Sequence, residues 1–122
     1  MEAFEDLRIW QDAQDLGISI YLLMKDNKDW GFKDQIQRAA VSISNNIAEG
    51  SDYNSDKIMI KYLRIAKGSC AEVRNMLYLS DKIGYCTHEQ AIKLIAETKH
   101  LSNSIGKFIT YLIDKLNGNK SK

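Results

Sequence analysis

Proline is absent from all 122 residues. Proline marks tight turns and strand edges and breaks helix interiors, so a chain without it is suited to long uninterrupted helices. Apolar residues recur at steps of three and four along most of the sequence, the period of a helix with one buried face. Four helical segments are expected, at about 6–25, 32–49, 55–83 and 87–117, within one domain spanning 1–122. The first carries Ile9, Trp10, Ala13, Leu16, Ile20, Leu23 and Met24 on one stripe. The second carries Phe32, Ile36, Ala39, Ala40, Ile43 and Ile47, with Gly50 as its left-handed stop. The third is capped by Ser55 and turns Ile58, Tyr62, Ile65, Ala66, Ser69, Val73, Met76 and Leu77 inward, and Gly84 ends it. The fourth opens with Thr87 and Gln90 at capping-box spacing. It then runs Ala91, Leu94, Thr98, Leu101, Ile105, Phe108, Leu112 and stops at Gly118. The short breaks make sequential helices antiparallel, so the expected fold class is all-α, an antiparallel up-down-up-down four-helix bundle.

Two departures from a single stripe carry expectations about packing. Val41, Ser44 and Ala48 lie across the second helix from Ile36, Ile43 and Ile47, which points to burial against another subunit. Ala39 and Ala40 fall near the level of Gly68 if the intervening turn is symmetric, and close backbone packing there is the expectation, a surface glycine the alternative. Arg38 has two readings: a semi-buried pair with Glu72, or a solvated surface position. Glu49 is read as holding the 50–55 turn or pairing with Lys57.

The chain shows no pattern for catalysis. Glu97-x-x-His100 has the spacing used in di-iron bundles, but no second copy accompanies it. Cys70, Cys86, His88 and His100 lack the spacing of a closed zinc site, and there is no phosphate loop. Cys86 and His88 are close in sequence at a turn, a setting with a low prior for a nucleophilic thiol. The expectation is therefore no enzyme, no metal and no cofactor. The acidic opening MEAFEDLRIW has no basic start followed by an apolar run, and stretches such as Ile20 to Met24 are far short of a membrane span. A cytoplasmic protein with reduced thiols is expected.

Charge is distributed more tellingly than its near-zero total. Seventeen basic residues against 16 acidic ones leave +1, which excludes a polycationic tail protein. Residues 1–24 hold Glu2, Glu5, Asp6, Asp12 and Asp15 against Arg8, a net of −4. Residues 57–74 hold Lys57, Lys61, Arg64, Lys67 and Arg74 against Glu72, a net of +4. At about 100° per residue, Lys57, Lys61 and Arg64 share a sector of about 60°, with Lys67 and Arg74 on its flank. Such a stripe either neutralises phosphates or is a solvated face balanced by the acidic first helix of the same or a neighbouring subunit.

The run Arg38-Ala39-Ala40-Val41-Ser42-Ile43 followed by Asn46-Ile47-Ala48-Glu49-Gly50 closely resembles the hallmark of the bacterial 23S rRNA-intervening sequence proteins. The resemblance extends to Phe4, Leu7, Trp10, Ala13 and Leu16, and onward to Tyr62-Leu63, Ala66, Gly68-Ser69, Glu72, Leu79 and Gly84. It implies a cytoplasmic four-helix bundle, commonly a homopentamer, with no known enzymatic activity. It also implies structural roles for Arg38, Asn46, Glu49, Gly50, Gly68, Ser69 and Glu72. A related branch, the accessory variability protein of diversity-generating retroelements, binds nucleic acid and a reverse transcriptase. RNA or a nucleic-acid-binding protein is accordingly the expected partner besides the chain itself. Lys57, Lys61, Arg64, Lys67 and Arg74 are the expected contacts. A structural or protein-interaction module without a nucleic-acid role is the alternative.

Overall fold

The computed structural model describes residues 3–121, with side-chain surroundings through residue 118. A single 3₁₀ turn, Phe4–Asp6, leads into α1 (Arg8–Leu23), followed by α2 (Trp30–Asp52), α3 (Asp56–Ile83) and α4 (His88–Ser121). All regular structure among the described residues is helical. Both α2 and α4 pack on α3, and α1 packs on α2 and more lightly on α4. Between α1 and α3 there is no such packing among the described residues, so these two helices occupy opposite sides of the core.

Local chemistry sets most helix ends. The Ser55 side chain accepts from the Ile58 amide at 3.3 Å, and Thr87 and Gln90 bond each other's backbone N–H at 3.1 and 2.9 Å. Gly84 closes α3 with φ of 78°. Asp29 caps α2 by accepting from the Phe32 amide, which starts the helix two residues before the expected position 32. The Tyr85 hydroxyl donates to the other oxygen of Asp29 at 2.5 Å, tying the α1–α2 turn to the α3–α4 turn. Those two donors hold the Asp29 carboxyl below its ordinary pKa.

Two expected terminators do not terminate. The second helix passes through Gly50 to Asp52, and the left-handed residue is Asn54, with φ of 52°. Gly50 is buried inside the helix because α3 leaves no room for a side chain there. A Cβ at position 50 would lie 2.7 Å from Tyr62 Cβ and 3.0 Å from Met59 Sδ. Likewise α4 continues past Gly118 to Ser121. The first helix is shorter than expected, since Leu7 is extended and separates it from the 3₁₀ turn.

The core stripes of α1, α2 and α4 follow the sequence period. Ile9, Ala13, Leu16, Ile20 and Met24 meet Ile36, Ala40, Ile43 and Ile47 and, from α4, Leu94, Leu101, Ile105 and Leu112. The buried hydroxyl of Thr98 donates to the Leu94 carbonyl at 2.7 Å, so it enters the core without an unmet hydrogen bond. In α3 the stripe is rotated in the first half. Met59, Ile60, Leu63, Ala66 and Cys70 are buried, whereas Ile58 and Tyr62 are half-buried and Ile65 is exposed.

On the second side of α2 Ser44 is buried within the chain, whereas Val41 and Ala48 are half-buried beside open clefts. Ser44 is buried and accepts from Gln14 of α1 at 3.5 Å. Val41 lines a cleft with Gly17, Ile18, Tyr21 and Leu22 of α1, and Ala48 lines one with Phe4. What this arrangement leaves outward is α1 itself: Ile18 is 57% exposed, Tyr21 47% and Leu22 67%. No helix is long and apolar enough to cross a membrane among the described residues.

Candidate nucleic-acid interface

The burial of Met59, Leu63, Ala66, Cys70, Val73 and Leu77 fixes which side of α3 faces solvent. Lys57, Lys61, Arg64 and Lys67 all stand on the open side, while Arg74 is half-buried and two turns further along. The first four span about 15 Å of helix at 1.5 Å per residue. Gly68, Ala71 and Glu72 are exposed between them and Arg74, so the structure groups four cations and sets the fifth apart.

These cations are held differently. The Lys61 ammonium lies 6.0 Å from the centre of the Tyr62 ring, which itself stacks on Tyr53 at 5.8 Å. Lys67 reaches across to α4, where its ammonium donates to Ser102 Oγ at 3.1 Å. That reach opens onto a groove of about 740 Å³ between α3 and α4, walled by Arg64 and Lys67 on one side and by Lys107 on the other. Lys107 was invisible to the stripe reading because it lies on a different helix. Its only sequence signal is that positions 64 and 107 are placed almost symmetrically about the 84–87 turn.

Charge is segregated on opposite flanks of α4. The cleft between α1 and α4 carries Asp12, Asp15 and Glu97 beside Arg8 and His100. Arg8 there is tied to Asp12 at 3.0 Å. Glu2 lies outside the described residues. Because α1 does not pack on α3, the acidic helix does not neutralise the basic one within a single chain.

The motif residues sort into seam and surface. Asn46 donates to the Ser42 carbonyl at 2.7 Å and to Ser42 Oγ at 3.0 Å, and Ser42 Oγ lies 3.0 Å from Ser69 Oγ. This chain of bonds crosses the α2–α3 seam at Ser42, about two turns from the close approach at Gly50. Arg38 does not meet Glu72. Its guanidinium binds Asp34 one turn earlier at 2.7 Å, 79% exposed, and that carboxylate raises its pKa further. A neighbour at i−4 is within reach without any interhelical register, and the exposed pair contributes little to stability. Glu72 is exposed. Glu49 is exposed on an open cleft of about 570 Å³ with Phe4, Asn45, Asp52 and Tyr53; the Tyr62 pKa is raised chiefly by its hydrogen bond with Tyr53, then by burial, with the Glu49 charge a smaller contribution. Gly68 is a surface glycine with open space where a Cβ would go, so the close packing expected against Ala39 and Ala40 does not occur there.

Neither thiol is activated. Burial pushes Cys70 up to about 11, and burial with the nearby Asp81 raises Cys86. The Asp81 carboxylate also accepts from His88 Nδ1 at 2.8 Å, and 71% of the His88 side chain is exposed. No group of three His, Cys, Asp or Glu side chains is arranged to hold a metal ion among the described residues.

The family model described as 23S rRNA-intervening sequence protein matches residues 5–107. No curated protein matches. A crystal structure from Bacteroides thetaiotaomicron, described as a protein of unknown function from the S23 ribosomal protein family, is similar in fold. Its TM-score is 0.77 at 23% identity, over 83% of this chain and 97% of that one.

Proposed function

The chain belongs to the 23S rRNA-intervening sequence protein family, and from that premise we propose a non-enzymatic, homo-oligomeric, cytoplasmic helical bundle that associates with RNA or ribonucleoprotein. The observation that carries the nucleic-acid role is the cationic face of α3: Lys57, Lys61, Arg64 and Lys67 face solvent, and the acidic α1 does not pack against α3. Four ammonium and guanidinium groups over about 15 Å match the phosphate spacing of a nucleic-acid strand better than any small anion. In a ring of copies the face repeats once per subunit, so weak contacts add through multivalency despite a net charge of +1 per chain. The pentamer number comes from the family resemblance. The up-down-up-down course is supported by the α3–α4 contacts. Lys67 meets Ser102 and Asp56 meets Lys115, so eleven residues back along α3 correspond to thirteen forward along α4.

Binding of a structured RNA to the full chain, followed across a salt series, tests this role. Affinity is expected to fall steeply and linearly in log–log form as salt rises, because each neutralised phosphate releases counterions. A parent protein that binds no RNA at low salt contradicts the reading. A second reading, a protein-interaction module without nucleic acid, is favoured by one observation. The exposed Ile18, Tyr21 and Leu22 of α1 are flanked by Asp12 and Asp15 and lie opposite the basic face of α3, as head-to-tail packing of copies would use them. In that case the mass of the oligomer, rather than RNA affinity, responds to salt.

A further inference from the structure

The groove between α3 and α4 has features that an exposed row of lysines does not need. Lys67 crosses from α3 over α4 and is held there by Ser102, a residue 6% exposed. Gly106 leaves room beneath the crossing, since a Cβ at that position would come within 3.3 Å of Lys67 Cε. An ammonium has three donors. One is used on Ser102, which leaves two directed away from that bond, on a side chain that has already given up much of its rotamer freedom. Arg64 from α3 and Lys107 from α4 stand on the two walls, Asn103 and Thr110 add neutral donors, and no carboxylate lines the groove.

We infer that this two-helix groove seats a phosphodiester of a nucleic-acid backbone, with Lys67 as the pre-positioned central cation and Lys107 as a contact contributed by α4. The inference rests on the RNA-associating role proposed above and gives it a location. The groove is open to solvent along its length, which suits a chain of phosphates passing through rather than an isolated anion enclosed on all sides. Its donors are the types that bind phosphate and sugar oxygens, so the seat fixes position and reads no base. The acidic cleft on the far side of α4 excludes the same ligand from that flank.

Fluorescence anisotropy of a labelled RNA hairpin and its DNA counterpart with the full chain tests the seat. Lys107→Glu is compared with Lys93→Glu, an identical charge change at an exposed position of α4 outside the groove. Lys107→Glu is expected to weaken both ligands about tenfold and to reduce the salt slope by about one, with Lys93→Glu close to the parent. Melting curves that match the parent show that the variants are folded. If the parent binds but Lys107→Glu and Lys93→Glu lose affinity equally, the groove is not the seat and the broader RNA role stands. A loss confined to RNA overturns the phosphodiester assignment. A parent that binds neither hairpin at low salt removes the RNA role and the seat with it.

Discussion

Valine at position 50 is expected to destabilise the protein by about 3 kcal/mol, the upper end of the usual overpacking range. For a chain of this length that lowers the melting temperature by about 10 °C. The cost arises because the new Cβ would sit 2.7 Å from the Cβ of Tyr62. Both atoms are fixed to helical backbones, so no rotamer change relieves the clash, and α2 and α3 must move apart. The movement would also stretch the Ser42–Ser69 hydrogen bond across the same seam. Gly68→Ala is the counterpart on the same pair of helices. With open space around it, that change is expected to stabilise by about 0.5–1 kcal/mol through helix propensity alone. Thermal unfolding followed by circular dichroism compares the two. A Gly50→Val protein that melts with the parent contradicts the close approach.

Charge on the outer face of α1 is expected to dissolve the proposed oligomer. Ile18 and Leu22 lie one turn apart and are 57% and 67% exposed, so placing Asp at both costs the folded chain little. At an interface between copies the same change buries two carboxylates beside Asp12 and Asp15, which a packed apolar contact cannot accommodate. Light scattering at micromolar concentration should give an oligomer for the parent and about the 13.9 kDa chain mass for Ile18→Asp with Leu22→Asp. A parent already at the chain mass, or a double variant with the parent's mass, removes this face from the assembly.

The core was legible wherever only one apolar stripe is consistent with the helical period, as in α1, α2 and α4. At the start of α3 the run Ile58-Met59-Ile60 permits two stripes about 100° apart. Packing selects the one through Met59 and Leu63, which are fully buried, and leaves Ile58 and Tyr62 half-buried at its edge, Tyr62 against the bare backbone of Gly50. Gly50 itself reads locally as a stop, and only the neighbouring helix shows that its missing side chain serves contact. Arg38 and Glu72 illustrate the same gap from the polar side. A long side chain on an exposed face takes the nearest carboxylate on its own helix, Asp34, before any partner on another helix. The cationic row on α3 was legible as a row because its members share one helix face. Its extension to Lys107 required the register between two helices, which spacing within one segment does not contain.

The most direct test of the proposed role is RNA binding by Lys61→Glu combined with Arg64→Glu, measured beside light scattering of the same sample. Both side chains are exposed, so their reversal should leave fold and oligomer unchanged. At the centre of the cationic face it replaces two phosphate contacts by two repulsions in every subunit, an effect that multivalency amplifies. The account predicts that the double variant keeps the parent's mass and loses detectable RNA binding at low salt. An oligomer that binds RNA as tightly as the parent after both reversals would contradict it, and the basic face of α3 would then be a solvated surface.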